Sequence, residues 1–217
     1  TARRVPTSGA VPLSTTMDTV CAMTRSVRDA VLAHEILSAR SVAKSKRALS
    51  SYRLAIPSSL MFDGIDAGVQ TAWERTLSQL SKAGAQLIET PMAEIRDLAG
   101  LLATGGFSAA ESFTWHSHLL ANHEAAYDPR VAARILKGAN MKAFEYLDLQ
   151  KGRAEWIQRM QAALNQFDAA ISPTVPVYSP TIDSVAPGQE RDEAFFHVNG
   201  LLLRNTSVVN MLDGCAL

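Results

Sequence analysis

Two short strand patterns flank one helical pattern between residues 52 and 90, and this arrangement constrains the fold more than any other part of the chain. Tyr52–Pro57 alternates in polarity, which predicts a strand that ends at the proline. Asp66 is a predicted N-cap for a helix that runs to about Lys82, and Gly84 ends that helix. Ala85–Thr90 is the second predicted strand. A strand–helix–strand order predicts a βαβ unit with parallel strands.

The section from about residue 93 to residue 167 is rich in predicted helices. Before this section, Ser26 is the predicted cap of a first helix. After it, Asp168–Thr174 is predicted to form a buried strand, and residues 215–217 resemble part of an apolar strand. The patterns together predict an α/β fold. The four predicted helices of the middle section are Glu94–Leu102, Phe107–Ala126, Pro129–Gly138 and Ala143–Phe167.

Charge argues against a nucleic-acid partner. The chain has 21 basic and 21 acidic residues, so its formal net charge is zero. A nucleic-acid-binding protein usually carries a basic excess on one face. The nearest candidate is the basic segment Arg40–Arg53, which we interpret as a solvated connector because a neutral chain does not steer phosphate over long range.

The sequence predicts neither a membrane partner nor a disulfide framework. No apolar run approaches the roughly 18 residues that a spanning helix requires, and no signal-peptide pattern is present in the chain. Cys21 and Cys215 lie far apart, and neither belongs to a C-x-x-C pair of the kind found in zinc sites. We therefore expect reduced, buried thiols in a cytoplasmic protein.

Motifs that would indicate catalysis or metal binding are weak when taken alone. Ser41–Lys44 matches the S-x-x-K pattern, but it lies in a polar connector without the partner motifs. His116, His118 and His123 fall on one predicted helix. Metal ligands on a helix need i, i+4 spacing, which these histidines lack, so they are better explained as surface or pocket-wall residues. No metal or other cofactor is predicted.

Several segments, in the same order as in the family, resemble the amidase-signature hydrolases. The pattern P-L-S-x-x-x-D-T of that family stands here at residues 12–19, although the Gly-Pro that follows in the family is replaced by Cys21-Ala22. Together the resembling segments cover nearly the whole chain. They are Val5–Ser14, Met17–Val27, Ser51–Pro57, Ala110–His116, Asp128–Gly138, Tyr146-Leu147 with Arg153, Phe167–Pro176 and Asn210–Leu217.

The resemblance implies a mixed β-sheet flanked by many helices and an amide hydrolase with a Ser–cis-Ser–Lys triad. In such an enzyme the lysine takes the proton of the nucleophile through the bridging serine, and an acyl-enzyme forms and is hydrolysed. All three residues are expected before Thr1, so no catalytic residue is assigned within this chain. The resemblance therefore implies a partial domain over residues 1–217, without the nucleophile region and the last strands. It extends to fatty acid amide hydrolase, to allophanate hydrolase and to the A-type subunits of the glutamyl-tRNA amidotransferases.

The resemblance also suggests roles for residues that support or line a site. Asp18 and Thr19 follow the nucleophile loop closely in the family, so they are either braces of that loop or members of an ordinary turn before the first helix. Phe107, Glu111 and Trp115 lie on helical segments that shape the acyl pocket in the family. For the two aromatic residues, a plain core position is the alternative.

A further group of candidate pocket residues follows the predicted strand at Asp168. Thr174, Val175 and Pro176 stand at its carboxyl end, where ligands commonly bind in α/β sheets. The expected ligand is a small-molecule amide. Arg204–Val209 lacks the acidic character expected of the amidotransferase protein, which favours a stand-alone amidase.

A different class of function remains open, namely a non-catalytic scaffold or binding fragment. A partial domain would expose apolar sheet edges. Such a chain is expected to pair with a second copy of itself or with the missing part of its own polypeptide.

Overall fold

The computed structural model describes residues 3–216, except for the side chains of residues 189–191. The chain divides into two compact units. One contains the described residues up to Ser45, Ala99–Glu155 and the residues from Asn210 onward. The other contains Lys46–Leu98 and Trp156–Val209.

Eight α-helices and three β-strands form the regular structure of the described residues, which confirms the α/β class. Four short 3-10 turns join them, at Leu49–Ser51, Ala93–Asp97, Glu124–Ala126 and Lys137–Asn140. In chain order the elements are α1 (Val27–Ser38), β1 (Arg53–Pro57), α2 (Ala67–Lys82), β2 (Gln86–Thr90), α3 (Leu98–Leu101), α4 (Gly106–His123), α5 (Pro129–Leu136), α6 (Ala143–Leu164), β3 (Ala169–Ala170), α7 (Ile182–Val185) and α8 (Gln189–Met211).

The predicted βαβ unit is confirmed. Strand β1 pairs with β2 in parallel from Arg53 opposite Gln86 to Pro57 opposite Thr90, and α2 connects the two strands. The described sheet has the order β2-β1-β3, and both pairings are parallel. Residues 54–57 of β1 are all buried, so the middle strand contributes to the core of its unit.

The prediction of a buried strand over Asp168–Thr174 is wrong in length and burial. Only Ala169 and Ala170 form β3, and both are exposed. The Ile171 amide still donates to Ala55 at 2.9 Å. Pro173 has no amide proton, so it cannot extend the ladder. The strand is therefore a short edge among the described strands.

Helix boundaries follow the predicted caps closely. The Ser26 hydroxyl accepts from the Asp29 amide at the start of α1, as predicted. Asp66 holds the predicted N-cap position of α2, but its carboxylate makes no capping bond there. The Asp128 carboxylate caps α5, and its hydrogen bonds from the Arg130 side chain and amide lower its pKa to about 2.

The last part of the chain differs most from prediction. Residues 189–211 form the long helix α8, which the sequence patterns did not predict. The residues after Met211 form no strand as far as residue 216, and Leu217 lies outside the described residues. Cys21 and Cys215 are free and exposed, so the prediction of buried thiols is wrong. Each lies in an irregular segment outside the helices and strands.

Candidate functional site

A hydrogen-bonded turn at residues 13–18 forms the first part of the site. The Ser14 carbonyl accepts from the Met17 amide at 3.2 Å and from the Asp18 amide at 2.8 Å. The Asp18 carboxylate accepts in return from the amides of Leu13 (2.9 Å) and Ser14 (3.0 Å). Ser14 is only 1% exposed. Asp18 thus fixes the backbone of its own turn, while Thr19 is exposed beside it.

The Glu111 carboxylate, on α4, fastens this turn from the other side. One of its oxygens accepts from the Ser14 hydroxyl at 2.6 Å and from the Thr16 amide at 2.9 Å. The other accepts from the Thr16 hydroxyl and from the Tyr146 hydroxyl, the latter at 2.6 Å. We call Ser14, Thr16, Glu111 and Tyr146 the Glu111 cluster. Each carboxylate oxygen has two donors, which fills its usual capacity as an acceptor.

Electrostatics keep the Glu111 carboxylate ionised. Burial alone raises the pKa of Glu111, but hydrogen bonds from Ser14, Thr16 and Tyr146 together outweigh burial, so its pKa lies below the ordinary value of 4.5. Burial and the hydrogen bond to Glu111 raise the pKa of Tyr146 above its ordinary value of 10.0. At neutral pH the pair is therefore a carboxylate and a neutral phenol, with the phenol donating.

Aromatic and cationic side chains pack beside the cluster. Phe107, one turn before Glu111 on α4, is 2% exposed and meets the Tyr146 ring edge-on at 5.8 Å between centroids. The Arg153 guanidinium lies 5.7 Å from the Phe107 centroid and donates to the Met211 carbonyl at 2.8 Å. A cation at this position satisfies the free carbonyls that end α8.

The end of α8 also contacts the turn directly. The Asn210 side-chain amide donates to the Met17 carbonyl at 3.1 Å. Residues 13–18 are thus held by α4, by α6 and by the end of α8. Such multiple fixing is what a precisely positioned loop requires.

An open cavity of about 270 Å³ lies along the same N-terminal segment. Its lining combines polar and apolar groups from residues 7–20. The polar lining residues are Thr7, Thr15, Asp18 and Thr19, and the apolar ones include Val11, Pro12 and Leu13. Both predicted support residues, Asp18 and Thr19, therefore border this cavity.

The three α4 candidates have different surroundings. Phe107 is a core residue, and Glu111 holds the turn. Trp115 is 44% exposed and packs on the His116 ring at 4.5 Å, while His116 Nδ1 lies 2.8 Å from the Tyr127 hydroxyl. Sequence reasoning named Glu111 as a pocket wall but did not identify Ser14, Thr16 and Tyr146 as its partners, although the first and last belong to the quoted family motifs.

The candidates Thr174, Val175 and Pro176 lie in the other unit, in the loop after β3. Thr174 is exposed, Val175 is half-buried and Pro176 is buried. The Pro176 carbonyl accepts from the Asp66 amide at 2.8 Å, and the Asp66 carboxylate accepts from the Tyr178 amide at 2.9 Å. The Asp66 side chain therefore holds this loop instead of capping α2.

Asn205 of α8 anchors the same loop, and sequence reasoning missed it. It is buried, and its side-chain amide donates to the carbonyls of Met61 (3.0 Å) and Pro173 (2.9 Å). Next to it, Arg204 donates to the Asp63 carbonyl at 2.6 Å. An Asn–Arg pair within an apolar stretch was the available signal.

The described residues contain neither a metal-binding group nor a membrane-spanning helix. No three histidine, cysteine, aspartate or glutamate side chains among them come together in a geometry that could hold a metal ion. Within residues 3–216, no helix is both long and apolar enough to cross a membrane.

Comparison with known proteins assigns the family. The chain combines a parallel βαβ unit in a helix-rich α/β fold with an N-terminal turn that carboxylates hold in place. The Amidase family model matches residues 1–217, so this chain belongs to the Amidase family, and the resemblance noted in the sequence is confirmed.

Individual relatives support the assignment. The chain is 27% identical to 2-amino-5-chloromuconic acid deaminase of Comamonas testosteroni over 224 residues, which cover 100% of this chain and 47% of that protein. It is 23% identical to an amidase of Pseudomonas putida, over 99% of this chain and 51% of that protein. A crystal structure of an amidase superposes with a TM-score of 0.77 at 25% identity, over 97% of this chain and 47% of that one. The chain thus spans about half the length of these relatives.

Proposed function

We propose that this chain supports the reaction centre of an amidase that hydrolyses a carboxylic amide to an acid and ammonia. The match of the Amidase family over residues 1–217 is the observation that carries the proposal. The nucleophile, the bridging serine and the lysine are proposed to lie outside this chain. The chemistry needs no metal or cofactor, because the acyl-enzyme route relies on an activated serine and on oriented hydrogen-bond donors.

In this proposal the Glu111 cluster positions a loop and does not transfer protons. Both oxygens of Glu111 already accept hydrogen bonds from two donors each. A general base needs a free oxygen within reach of the proton that it takes. Glu111 and Asp18 therefore fix the turn at residues 13–18 between them, and they keep the wall of the neighbouring cavity in place.

The remaining candidates would contribute to substrate binding. Phe107 and Trp115 are proposed to help shape the pocket for the acyl group. Thr174, Val175 and Pro176 are proposed as substrate-binding residues. Aromatic, apolar and hydroxyl groups of this kind suit a small organic acyl chain. The substrate is a small molecule, and neither a nucleic acid nor a membrane is part of the proposed reaction.

The test is ammonia release from a panel of carboxylic amides. The purified 217-residue chain alone is expected to release none, and a longer protein that joins it to a nucleophile-bearing part is expected to release ammonia. Release by the chain alone that is abolished by one serine substitution within it would refute the proposed division of labour. Inactivity of the longer folded protein on every amide would refute the reaction itself.

A second candidate reaction follows from the Comamonas relative, whose name describes a deaminase. Both reactions release ammonia, so the substrate separates them. Release from an aminomuconic acid with no release from amides would favour deamination. A folded longer protein that binds amides without converting them would favour the scaffold function, and activity only within a multi-protein complex would favour the amidotransferase role.

The cytoplasm is the proposed location. Cys21 and Cys215 are both free and exposed, and exposed thiols persist in a reducing compartment. Fractionation of cells that produce the protein would test this, and recovery with extracellular proteins would contradict it.

A further inference from the structure

Two loops of the second unit lie together at the carboxyl edge of the described sheet. Residues 58–66 follow β1 and residues 171–178 follow β3, and these strands are parallel neighbours. The carboxyl ends of parallel strands meet at the same edge of a sheet, and ligands of α/β proteins commonly bind there. Asn205 joins the two loops, because its side-chain amide donates to the Met61 carbonyl in the first and to the Pro173 carbonyl in the second.

Asp66 is a second link between the loops, and it departs from the usual behaviour of its position. An aspartate at the N-cap of a helix normally accepts from an amide of the first turn. The Asp66 carboxylate makes no such bond and accepts from the Tyr178 amide at 2.9 Å, while the Asp66 amide donates to the Pro176 carbonyl at 2.8 Å. Local rules of this kind are broken most often at functional sites. The carboxylate thus fixes the second loop and leaves α2 without that cap.

The Tyr178 ring lies against the first turn of α2. A Cβ placed on Gly68 would stand 1.7 Å from the Tyr178 hydroxyl oxygen and 2.5 Å from the ring carbon that carries it. Any residue other than glycine at position 68 would therefore force the ring away, because only glycine allows so close an approach. We call Asp66, Gly68 and Tyr178 the loop anchor. Asp66 holds the backbone of the second loop, and Gly68 leaves room for its aromatic side chain.

The loop held in this way contains Thr174, Val175 and Pro176, the proposed substrate-binding residues. We propose that the loop anchor sets the position of these three residues and thereby decides which acyl groups the enzyme accepts. The members of the loop anchor are positioning residues, since they act through the loop and touch no reacting atom. The inference rests on the proposed amide hydrolysis and assigns the control of its substrate range to a further part of the chain.

The first measurement is hydrogen exchange over residues 174–178 of the 217-residue chain, followed by mass spectrometry. Asp66→Ala and Gly68→Ala should each speed exchange at least about threefold, because the loop loses a hydrogen bond in one variant and a ring contact in the other. Gly68→Ala should have no further effect when Tyr178→Ala is also present, because the ring that the new Cβ would strike is then absent. An equal effect of Gly68→Ala with and without the Tyr178 ring would overturn the loop anchor.

The second measurement is the kinetics of ammonia release by the longer protein that joins this chain to a nucleophile-bearing part. The substrates are the smallest and the largest amide that the wild type hydrolyses. Asp66→Ala and Tyr178→Ala should each change the ratio of the two kcat/KM values at least about fivefold, mainly through KM, because a displaced loop alters binding of the acyl group. Asp66→Asn should recover most of the wild-type ratio, because its side-chain oxygen can still accept from the Tyr178 amide.

Gly200→Ala is the matched control, a second helical glycine of the same unit. A Cβ on Gly200 meets open space, so this variant should change neither the exchange rate nor the kcat/KM ratio. The Asp66, Gly68 and Tyr178 variants should each melt within about 4 °C of wild type, because one hydrogen bond or one exposed ring contact is lost. A larger decrease in all three would overturn the assignment to loop positioning.

Failure of this inference and failure of the proposed reaction have different signatures. Inactivity of the longer folded protein on every amide would refute the reaction, and the control of substrate range with it. Ammonia release with the same kcat/KM ratio in wild type, Asp66→Ala and Tyr178→Ala would overturn the loop anchor alone. A lower kcat at unchanged KM in both variants would overturn it as well, because the residues would then affect the chemical step and not the binding of the acyl group.

Discussion

Replacing Glu111 by alanine tests the account of the Glu111 cluster most directly. The change removes four hydrogen bonds to a carboxylate, from Ser14, Tyr146 and two groups of Thr16. A hydrogen bond to a charged group contributes about 1.5–3 kcal/mol when it is shielded from water. Glu111 is half-buried, so water replaces part of this stabilisation. The buried Ser14 hydroxyl still accepts from the Met17 amide, but it loses the acceptor of its own proton.

We therefore expect Glu111→Ala to lower the free energy of unfolding by about 3 kcal/mol. For a chain of this size, that corresponds to a decrease of about 10 °C in melting temperature. The assay is urea and thermal unfolding followed by circular dichroism. Glu111→Gln keeps the shape of the side chain, but its amide NH2 group would face two hydrogen-bond donors. We therefore expect it to lower the free energy of unfolding by about 2 kcal/mol.

The matched control is Glu155→Ala, an exposed glutamate on α6 in the same unit. This change should alter stability by no more than about 0.5 kcal/mol. If Glu111→Ala and Glu155→Ala unfold at the same urea concentration, the carboxylate does not hold the 13–18 turn, and its proposed positioning role fails with it.

Three further predictions concern pH, close packing and a buried amide. The pKa of Glu111 is lowered on folding, so the stabilising effect of its carboxylate should be complete above pH 4.5 and should disappear as the pH falls through the folded-state pKa. The difference in free energy of unfolding between wild type and Glu111→Gln, measured in urea, should close over that pH range. A gap that persists or widens would contradict the ionised cluster. Gly138→Ala would place a Cβ 2.0 Å from the Ala109 carbonyl oxygen, so it should lower the free energy of unfolding by about 3 kcal/mol, measured by thermal unfolding. The control Gly100→Ala adds a Cβ in open space and should not lower stability. Asn205→Ala should lower the free energy of unfolding by about 3 kcal/mol in urea, because the Pro173 carbonyl loses the Asn205 donor and the Met61 carbonyl keeps only the longer bond from Arg204. An effect below that of exposed Asn122→Ala would contradict this.

Local patterns in the sequence predicted the sheet well. Tyr52–Pro57 alternates in polarity and ends at a proline, and Ala85–Thr90 stands between Gly84 and a proline. The helix between them has apolar residues every three or four positions. Each of these signals acts over a few residues, so the βαβ unit could be read without knowing the rest of the fold. Caps such as Ser26 were predictable for the same reason.

Helix α8 was not predictable in this way. It contains Gly200 and the β-branched residues Thr206, Val208 and Val209, which lower helix propensity. Its apolar residues also follow no single stripe. The helix is held by tertiary contacts, including those of Asn205 with the carbonyls of Met61 and Pro173, which no local pattern contains.

The site was only partly predictable for a related reason. The family motif drew attention to Asp18 and Glu111, but not to the bonds between Glu111 and residues about a hundred positions earlier. Whether Phe107, Trp115 and the Thr174, Val175 and Pro176 loop bind substrate stays a prediction.

The long separation within the Glu111 cluster has a consequence for how the protein folds. Ser14 is 97 residues from Glu111, and Glu111 is 35 residues from Tyr146. Closing loops of this length costs chain entropy before any contact is gained, so distant pairings form slowly. The 13–18 turn must therefore wait until α4 and the start of α6 have been synthesised and docked. During translation the first segment of the chain emerges early and reaches its final conformation late, with its apolar side chains accessible to chaperones in the interval.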